Sequence, residues 1–97
     1  MAIEPEYKRK IIGILQALFP GAKIYLFGSR ARGQHTEYAD IDITIDAGEP
    51  LKRVDVDEAN AMFLESNMPY KIDIVDYHRV TDDMKEWIDK DKVLWKM

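Results

Sequence analysis

The chain has 97 residues, of which 46% are hydrophobic, and this is enough apolar material for one small core. It contains no cysteine, which excludes a disulfide scaffold and thiolate metal sites. The formal net charge of −4 argues against stable, nonspecific binding to nucleic acid. No apolar run approaches the ~20 residues that span a bilayer, and no signal peptide is recognisable. We therefore expect a cytoplasmic protein in which residues 1–97 form a single domain without membrane contact.

The first half of the chain predicts a helix, a strand, a turn and a second strand. Apolar residues recur at helical spacing over residues 5–19, and Pro20-Gly21 ends this helix. Residues 23–28 indicate a short buried strand, after which residues 28–33 form a turn or begin a short helix. Residues 40–46 read DIDITID, and their strict alternation of isoleucine with polar side chains predicts a strand with two different faces.

The second half predicts a helix, a strand and a last helix. These lie over residues 54–66, residues 71–77 and a segment that follows Thr81, a favourable N-cap. The order α-β-turn-β-α-β-α indicates an α/β fold: a small mixed sheet of three or so strands with helices mainly on one face. Apolar residues near the C-terminus are interpreted as helix packing or as a contact surface for a partner. They are Trp87, Leu94, Trp95 and Met97.

Two carboxylates of the second strand are neighbours on one face. Asp40 and Asp42 are two residues apart, so their backbone positions are about 6–7 Å apart on the same side of the strand. Carboxylates this close repel each other unless one takes up a proton or a cation lies between them. Oxygen ligands of this kind favour Mg²⁺ or Mn²⁺. The pair therefore predicts a divalent metal site.

The third strand can add a carboxylate to this pair. If Ile72 and Ile74 join the isoleucines of residues 40–46 in the core, Asp73 must lie on the opposite face, with Asp40 and Asp42. Asp76 then points the wrong way. Strand alternation alone therefore selects Asp73 as the third acidic residue of the site.

A glycine-serine pair follows the first strand directly. Gly28 lets the backbone turn sharply and approach a ligand closely, and the Ser29 hydroxyl and exposed N–H groups can donate to phosphate oxygens. Arg30 and Arg32 add positive charge nearby. A phosphate-binding turn ahead of paired aspartates predicts a site for a metal–nucleotide complex, in which carboxylates hold the metal and the turn holds the far phosphates.

The segments GSRARG at 28–33 and ADIDI at 39–43 resemble the Gly-Ser…Asp-x-Asp signature of the DNA polymerase beta-like nucleotidyltransferase superfamily. The short chain and its KIDIVD segment look like the minimal nucleotidyltransferase branch, whose members are often paired with a small helical HEPN protein. The resemblance covers about residues 10–77. Neither half of the signature is specific by itself, but the two in this order, with a third aspartate on a later strand, are specific together.

The resemblance implies roles for individual residues. Asp40 and Asp42 would coordinate the metals, and Asp73 would complete the catalytic metal site and help to activate the attacking hydroxyl. Ser29 and the Gly28 backbone would bind the β- and γ-phosphates of a nucleoside triphosphate. Neither Arg30 nor Arg32 receives a catalytic role by resemblance; Arg32 is predicted, as a nearby positive charge, to contact the nucleotide phosphates or a partner.

The resemblance also implies an activity: Mg²⁺-dependent transfer of AMP from ATP to a hydroxyl of a protein partner, with the chain acting as antitoxin to a HEPN toxin. The helical domain with which larger relatives bind base and acceptor is absent, which indicates a homo- or hetero-oligomer. Two alternatives stay open. The chain could be a non-catalytic module that neutralises its partner by covering it, or a nucleotidyltransferase that acts on a small molecule.

Overall fold

A computed structural model of the chain describes residues 3–33 and 39–96. The alternation of helices and strands agrees with the predicted α/β class. In chain order the elements are α1 (Pro5–Leu18), β1 (Lys23–Phe27), β2 (Ile41–Asp46), α2 (Arg53–Leu64), β3 (Ile72–Asp76), α3 (Asp82–Asp91) and β4 (Val93–Lys96). The predicted helices and strands are all present, with ends within about two residues of those expected.

The strands form one sheet in the order β3-β2-β1-β4. Strand β1 is antiparallel to both β2 and β4, whereas β2 and β3 are parallel and are connected through α2. The sheet is therefore mixed, as predicted. Strand β4 was not predicted, because the C-terminal residues that form it were interpreted as helix packing or a contact surface. Met97 lies outside the described residues.

The main core lies between the sheet and the helices α1 and α2. The isoleucines of β2 and β3 face this side, as strand alternation predicted. They pack with side chains from the two helices, because each helix places its apolar residues on one side. The helical residues are Ile11, Leu15, Ala59 and Phe63.

Helix α3 covers part of the opposite face. Its N-cap is the predicted Thr81, whose hydroxyl accepts a hydrogen bond from the Met84 N–H at 3.2 Å. Trp87 meets the ring of Phe27 edge-on, with centroids 6.2 Å apart, and Ile88 is fully buried. The acidic face of the sheet is thus partly covered by a helix.

Asp76 and Thr44 are buried polar residues that form hydrogen bonds with the protein backbone. Asp76 is only 5% exposed and accepts the Leu51 N–H at 2.7 Å, which agrees with its exclusion from the site. Thr44 shares the strand face of the acidic residues, which predicts a surface or supporting position. It is fully buried, and its hydroxyl donates to the Val75 carbonyl at 3.2 Å, so only the supporting role was right.

One side chain of α2, that of Asn60, forms hydrogen bonds with the outer edge of β3. The Asn60 amide donates to the carbonyl of Ile74 at 3.0 Å and accepts the Ile74 N–H at 2.9 Å. This two-way pairing satisfies backbone groups that a further strand would otherwise use. It holds the C-terminal half of α2 beside the edge of β3.

None of the described helices is long and apolar enough to cross a membrane; the first, α1, has 14 residues.

Candidate active site

Parallel pairing of β2 with β3 places two of the predicted carboxylates side by side. Asp42 and Asp73 are direct partners in the register, each on the strand face opposite the buried isoleucines. Asp40 lies just before β2 and is exposed. Asp73 therefore lies on the face that the alternation of the third strand predicted, and the register places it next to Asp42.

The charges of these carboxylates act on one another. Burial, followed by the charges on Asp73 and Asp40, raises the pKa of Asp42 above its usual value. Lys71 and Arg32 act in the opposite direction. A half-buried carboxylate with two acidic neighbours can accept a cation or a proton, because either one relieves the repulsion.

The Gly28 turn lies directly beside Asp42. Phe27, the last residue of β1, pairs with Asp42, and Gly28 follows with a φ of 79°. A Cβ atom at Gly28 would be 2.5 Å from the Oδ2 atom of Asp42, too close unless the carboxylate moves. Glycine is thus required by its conformation and by the approach of the carboxylate.

The turn after Gly28 is closed by its own backbone. The Arg32 N–H donates to the Gly28 carbonyl, and the Gly33 N–H to the Arg30 carbonyl, each at 3.2 Å. Ser29 is half-buried in this turn. The predicted phosphate turn therefore meets the carboxylates at one end of the sheet.

The two arginines of the turn have different surroundings. Arg30 is buried, donates through Nε to the Ala39 carbonyl at 3.0 Å, and lies over the ring of Tyr70 at 4.7 Å. Arg32 reaches toward α3, where Nη1 pairs with Oδ2 of Asp91 at 3.0 Å and the guanidinium lies 5.8 Å from the ring centre of Trp87. Arg30 supports the turn, whereas Arg32 is partly exposed near Asp42.

The acidic residues fit a magnesium ion only together with a ligand. Within residues 3–33 and 39–96, no three acidic or imidazole groups lie close enough together to enclose a metal ion. Mg²⁺, however, is usually held by one or two carboxylates plus substrate phosphates and water, and not by a cage made of protein alone. Asp42 and Asp73 are the adjacent pair that such binding requires. Asp40 is exposed and lies just before β2, outside the regular strand.

Sequence reasoning missed three contributors to this region. Lys71 shares the strand face of Asp73, and this alternation was the signal that it belongs here. Asp91 and Trp87 lie at helical spacing on one side of α3, which indicated a common face. Nothing local indicated that this face would meet Arg32, because Asp91 and Arg32 are 59 residues apart in the chain.

Comparison with known proteins identifies the family of the chain. A family model described as a nucleotidyltransferase domain matches residues 8–94. A probable protein adenylyltransferase, MntA, of Haemophilus influenzae is 36% identical over 77 residues, which cover 79% of this chain and 68% of the relative.

Two solved structures are also similar. One is a toxin–antitoxin complex with AMP-PNP, in which a chain matches with a TM-score of 0.77 and 27% identity over 91% of this chain and 71% of that chain. The other contains a tri-AMPylated HEPN toxin of Shewanella oneidensis with its MNT antitoxin. The TM-score is 0.74 and the identity 25%, over 98% of this chain and 71% of that chain.

Proposed function

This chain belongs to the nucleotidyltransferase domain family, and we propose that it transfers AMP from ATP to a hydroxyl group of a protein partner. One observation carries the proposal: Asp42 and Asp73 are direct partners on adjacent strands beside the Gly28 turn. Carboxylates next to a phosphate-binding turn can hold a metal–triphosphate complex and remove a proton from an attacking hydroxyl.

The turn binds the distal phosphates of ATP. Gly28 brings backbone close to Asp42 without a side chain between them, and Ser29 offers a hydroxyl donor. Arg32 adds a positively charged side chain on the same side of the site, since its charge acts to lower the pKa of Asp42. We assign Gly28, Ser29 and Arg32 to nucleotide binding.

Asp40, Asp42 and Asp73 are the residues that would hold Mg²⁺ or Mn²⁺. When bound, the cation would neutralise charge on the phosphates. The raised pKa of Asp42, caused by burial and by Asp73 and Asp40, supports this assignment, because a nearby cation removes the repulsion that raises it.

The reaction is a displacement at the α-phosphorus of ATP. The acceptor oxygen forms a bond to that phosphorus while the bond to the oxygen bridging the α- and β-phosphates breaks. Pyrophosphate leaves with the bonding electrons, and the hydroxyl proton passes to the carboxylate of Asp73. Asp73 suits this role because it lies on the outermost of the acidic strands.

The partner in this proposal is a small helical HEPN protein, and the chain is its antitoxin. The similar solved structures, described as a toxin–antitoxin complex with AMP-PNP and as an AMPylated HEPN toxin with its antitoxin, support this choice. A cytoplasmic location, where ATP and the partner are both present, belongs to the same proposal.

The test uses ATP labelled at either the α- or the γ-phosphate, together with a small helical HEPN protein as the acceptor. We expect label from α-labelled ATP on the partner, none from γ-labelled ATP, and loss of transfer in EDTA. Transfer of the γ-label would indicate a kinase and would contradict the proposal. Absence of both labels from the partner would show that this protein is not the acceptor.

The rival function is neutralisation by occlusion, without catalysis. It is favoured by exposed apolar side chains on α2 and β4, such as Leu64 and Leu94. The double variant Asp40→Ala/Asp42→Ala separates the two functions. If the double variant no longer binds ATP but still neutralises the partner fully, the function is occlusion. If the variant loses both AMP transfer and neutralisation, the function is catalysis.

Replacement of Asp91 by Asn should weaken ATP binding. Asp91 holds the Arg32 guanidinium at 3.0 Å, so its loss leaves that cation less well positioned for the phosphates. A partly exposed ion pair contributes about 0.5–1 kcal/mol, which corresponds to a roughly two- to fivefold higher Kd by titration calorimetry.

Asp89→Asn is the matched control for Asp91→Asn. Asp89 lies on the same helix but pairs with Tyr77 and Lys92, so its replacement should leave the Kd for ATP unchanged. Equal weakening by the two variants would show a general effect on α3. Tighter binding by Asp91→Asn would show that Asp91 holds Arg32 away from the nucleotide.

A further inference from the structure

A cleft of about 630 Å³ begins at Asp42 and Asp73 and continues past the outer edge of β3. Its walls come from α2 on one side and α3 on the other, and they are largely apolar. Leu64 of α2 and Met84 and Trp87 of α3 line it together with Asp73. The cleft therefore joins the proposed catalytic carboxylates to an apolar surface.

The site residues lie in a row across the sheet. The Gly28 turn lies at the end of β1, Asp42 is on β2 and Asp73 is on β3, each on the next strand of the sheet order. Neighbouring strands are about 4.8 Å apart. The row thus runs from the phosphate turn, through the carboxylate pair, to the mouth of the cleft.

In-line displacement gives this row a direction. The entering and leaving oxygens lie on opposite sides of the reacting phosphorus, and the remaining oxygens, including that of the ribose, lie around it. Pyrophosphate leaves on the side of the Gly28 turn, because the turn holds the distal phosphates. The entering hydroxyl must then arrive from the side of β3, where the cleft opens. The ribose, which stays attached to the α-phosphorus, projects to one side of the row.

We propose that the cleft is the docking surface for the acceptor segment of a protein partner, whose apolar residues contact Leu64, Met84 and Trp87 while its hydroxyl reaches Asp73. This inference rests on the proposed function. The occupant is an apolar, hydroxyl-bearing segment of a protein, and not the adenine base or a polar sugar.

The exposure of the cleft wall supports a protein as occupant. Leu64 is 82% exposed and Trp87 is 47% exposed, although both are large apolar side chains. Exposed apolar groups that line one cleft are typical of protein contact surfaces, and aromatic residues contribute strongly to them. A sugar acceptor would instead need many polar partners, whereas most of the cleft lining is apolar, and Leu64 and Met84 offer no donor to it.

Leu64→Ser tests the docking surface, with Val54→Ser as its matched control. Both residues are exposed on α2, but Val54, which is 65% exposed, does not line the cleft. Burial of a leucine side chain is a large apolar contribution, so we expect Leu64→Ser to raise the KM for the HEPN partner about five- to tenfold. The KM for ATP should not change, and Val54→Ser should behave like the unmodified chain.

Two results would overturn this inference. A rise in the KM for ATP, with the KM for the partner unchanged, would place the adenine base in the cleft. Equal behaviour of Leu64→Ser and Val54→Ser would place the acceptor elsewhere. Neither variant should disturb folding, because both side chains lie outside the core.

Partner binding with AMP-PNP in place of ATP separates this inference from the proposed function. That measurement needs no transfer. If Leu64→Ser alone weakens partner binding but the unmodified chain never transfers AMP, the docking surface stands and the catalytic function fails. If the unmodified chain transfers AMP and both variants bind the partner equally well, the docking surface fails and the function stands.

Discussion

Asp42→Asn should reduce AMP transfer to the partner by roughly 10²- to 10³-fold, the range seen when one electrostatic group is removed at a reacting centre. Asp42 is the central carboxylate of the site: it pairs with Asp73, and it lies against the Gly28 turn. The uncharged amide keeps the shape of the side chain but cannot serve as an anionic ligand. The rate is measured with α-labelled ATP at saturating partner.

The same variant should be more stable than the unmodified chain at neutral pH. Burial, together with the charges on Asp73 and Asp40, raises the folded-state pKa of Asp42 above its ordinary value of 3.8. A group with a raised pKa stabilises the fold below its unfolded pKa, and this stability is lost as the pH rises through the folded pKa. The amide has no proton to lose and stays uncharged as the pH rises. The gain in Tm should therefore appear above about pH 4 and vanish at pH 3.

Asp46→Asn is the control of opposite sign on the same strand. Burial alone would raise the pKa of Asp46, but the Gly48 N–H and His78, whose Nε2 is 2.6 Å from Oδ1, lower it on balance. Its stabilisation is present above the unfolded pKa and lost as the pH falls through the folded pKa. Asp46→Asn should thus lower the Tm at neutral pH. A lower Tm for Asp42→Asn as well would contradict the repulsion inferred at the site.

Magnesium gives an independent readout of the same site. A cation that binds only the folded protein raises its Tm, and removal with EDTA reverses the change. Mg²⁺ with AMP-PNP should therefore raise the Tm of the unmodified chain by more than that of Asp42→Asn. Equal shifts for the two proteins would remove Asp42 from the metal site.

Gly28→Ala should abolish most of the AMP transfer and also destabilise the fold. The φ of 79° is strained for any L-residue, at a cost of about 1–2 kcal/mol. In addition, the new Cβ would lie 2.5 Å from Oδ2 and 3.3 Å from Cγ of Asp42. Because Oδ2 is at the end of a side chain, Asp42 can rotate away, and this rotation displaces the catalytic carboxylate.

Gly21→Ala isolates the conformational part of that effect. Gly21 has a similar φ of 82°, but a Cβ atom there would meet nothing within 4 Å. Denaturant unfolding should show a loss of about 1–2 kcal/mol for Gly21→Ala with normal transfer. For Gly28→Ala the loss of transfer should far exceed the loss of stability. Normal transfer by Gly28→Ala would show that the turn does not need to approach Asp42 closely.

His78 and Arg30 show where sequence reasoning failed at single residues. The sequence around His78 indicates a solvated loop histidine, yet its ring pairs with Asp46 at the other end of the sheet from the Gly28 turn. Arg30 receives no role by resemblance and its sequence context indicates an exposed charge, yet it is buried against Tyr70. Each contact joins segments far apart in sequence, and neither has a local pattern.

The alternation of DIDITID and KIDIVD by itself determined which side chains share a face, and so it selected Asp73 and rejected Asp76. Side chains of a strand alternate whatever the strand pairs with, so that result needs no tertiary information. Only the tertiary structure decided that Asp73 lies directly beside Asp42, that Asp91 holds Arg32, and that β4 completes the sheet. The physical reason is that strand order, register and helix placement depend on how the entire core packs, and the cleft beside Asp73 exists only once α2 and α3 lie on either side of the edge of β3.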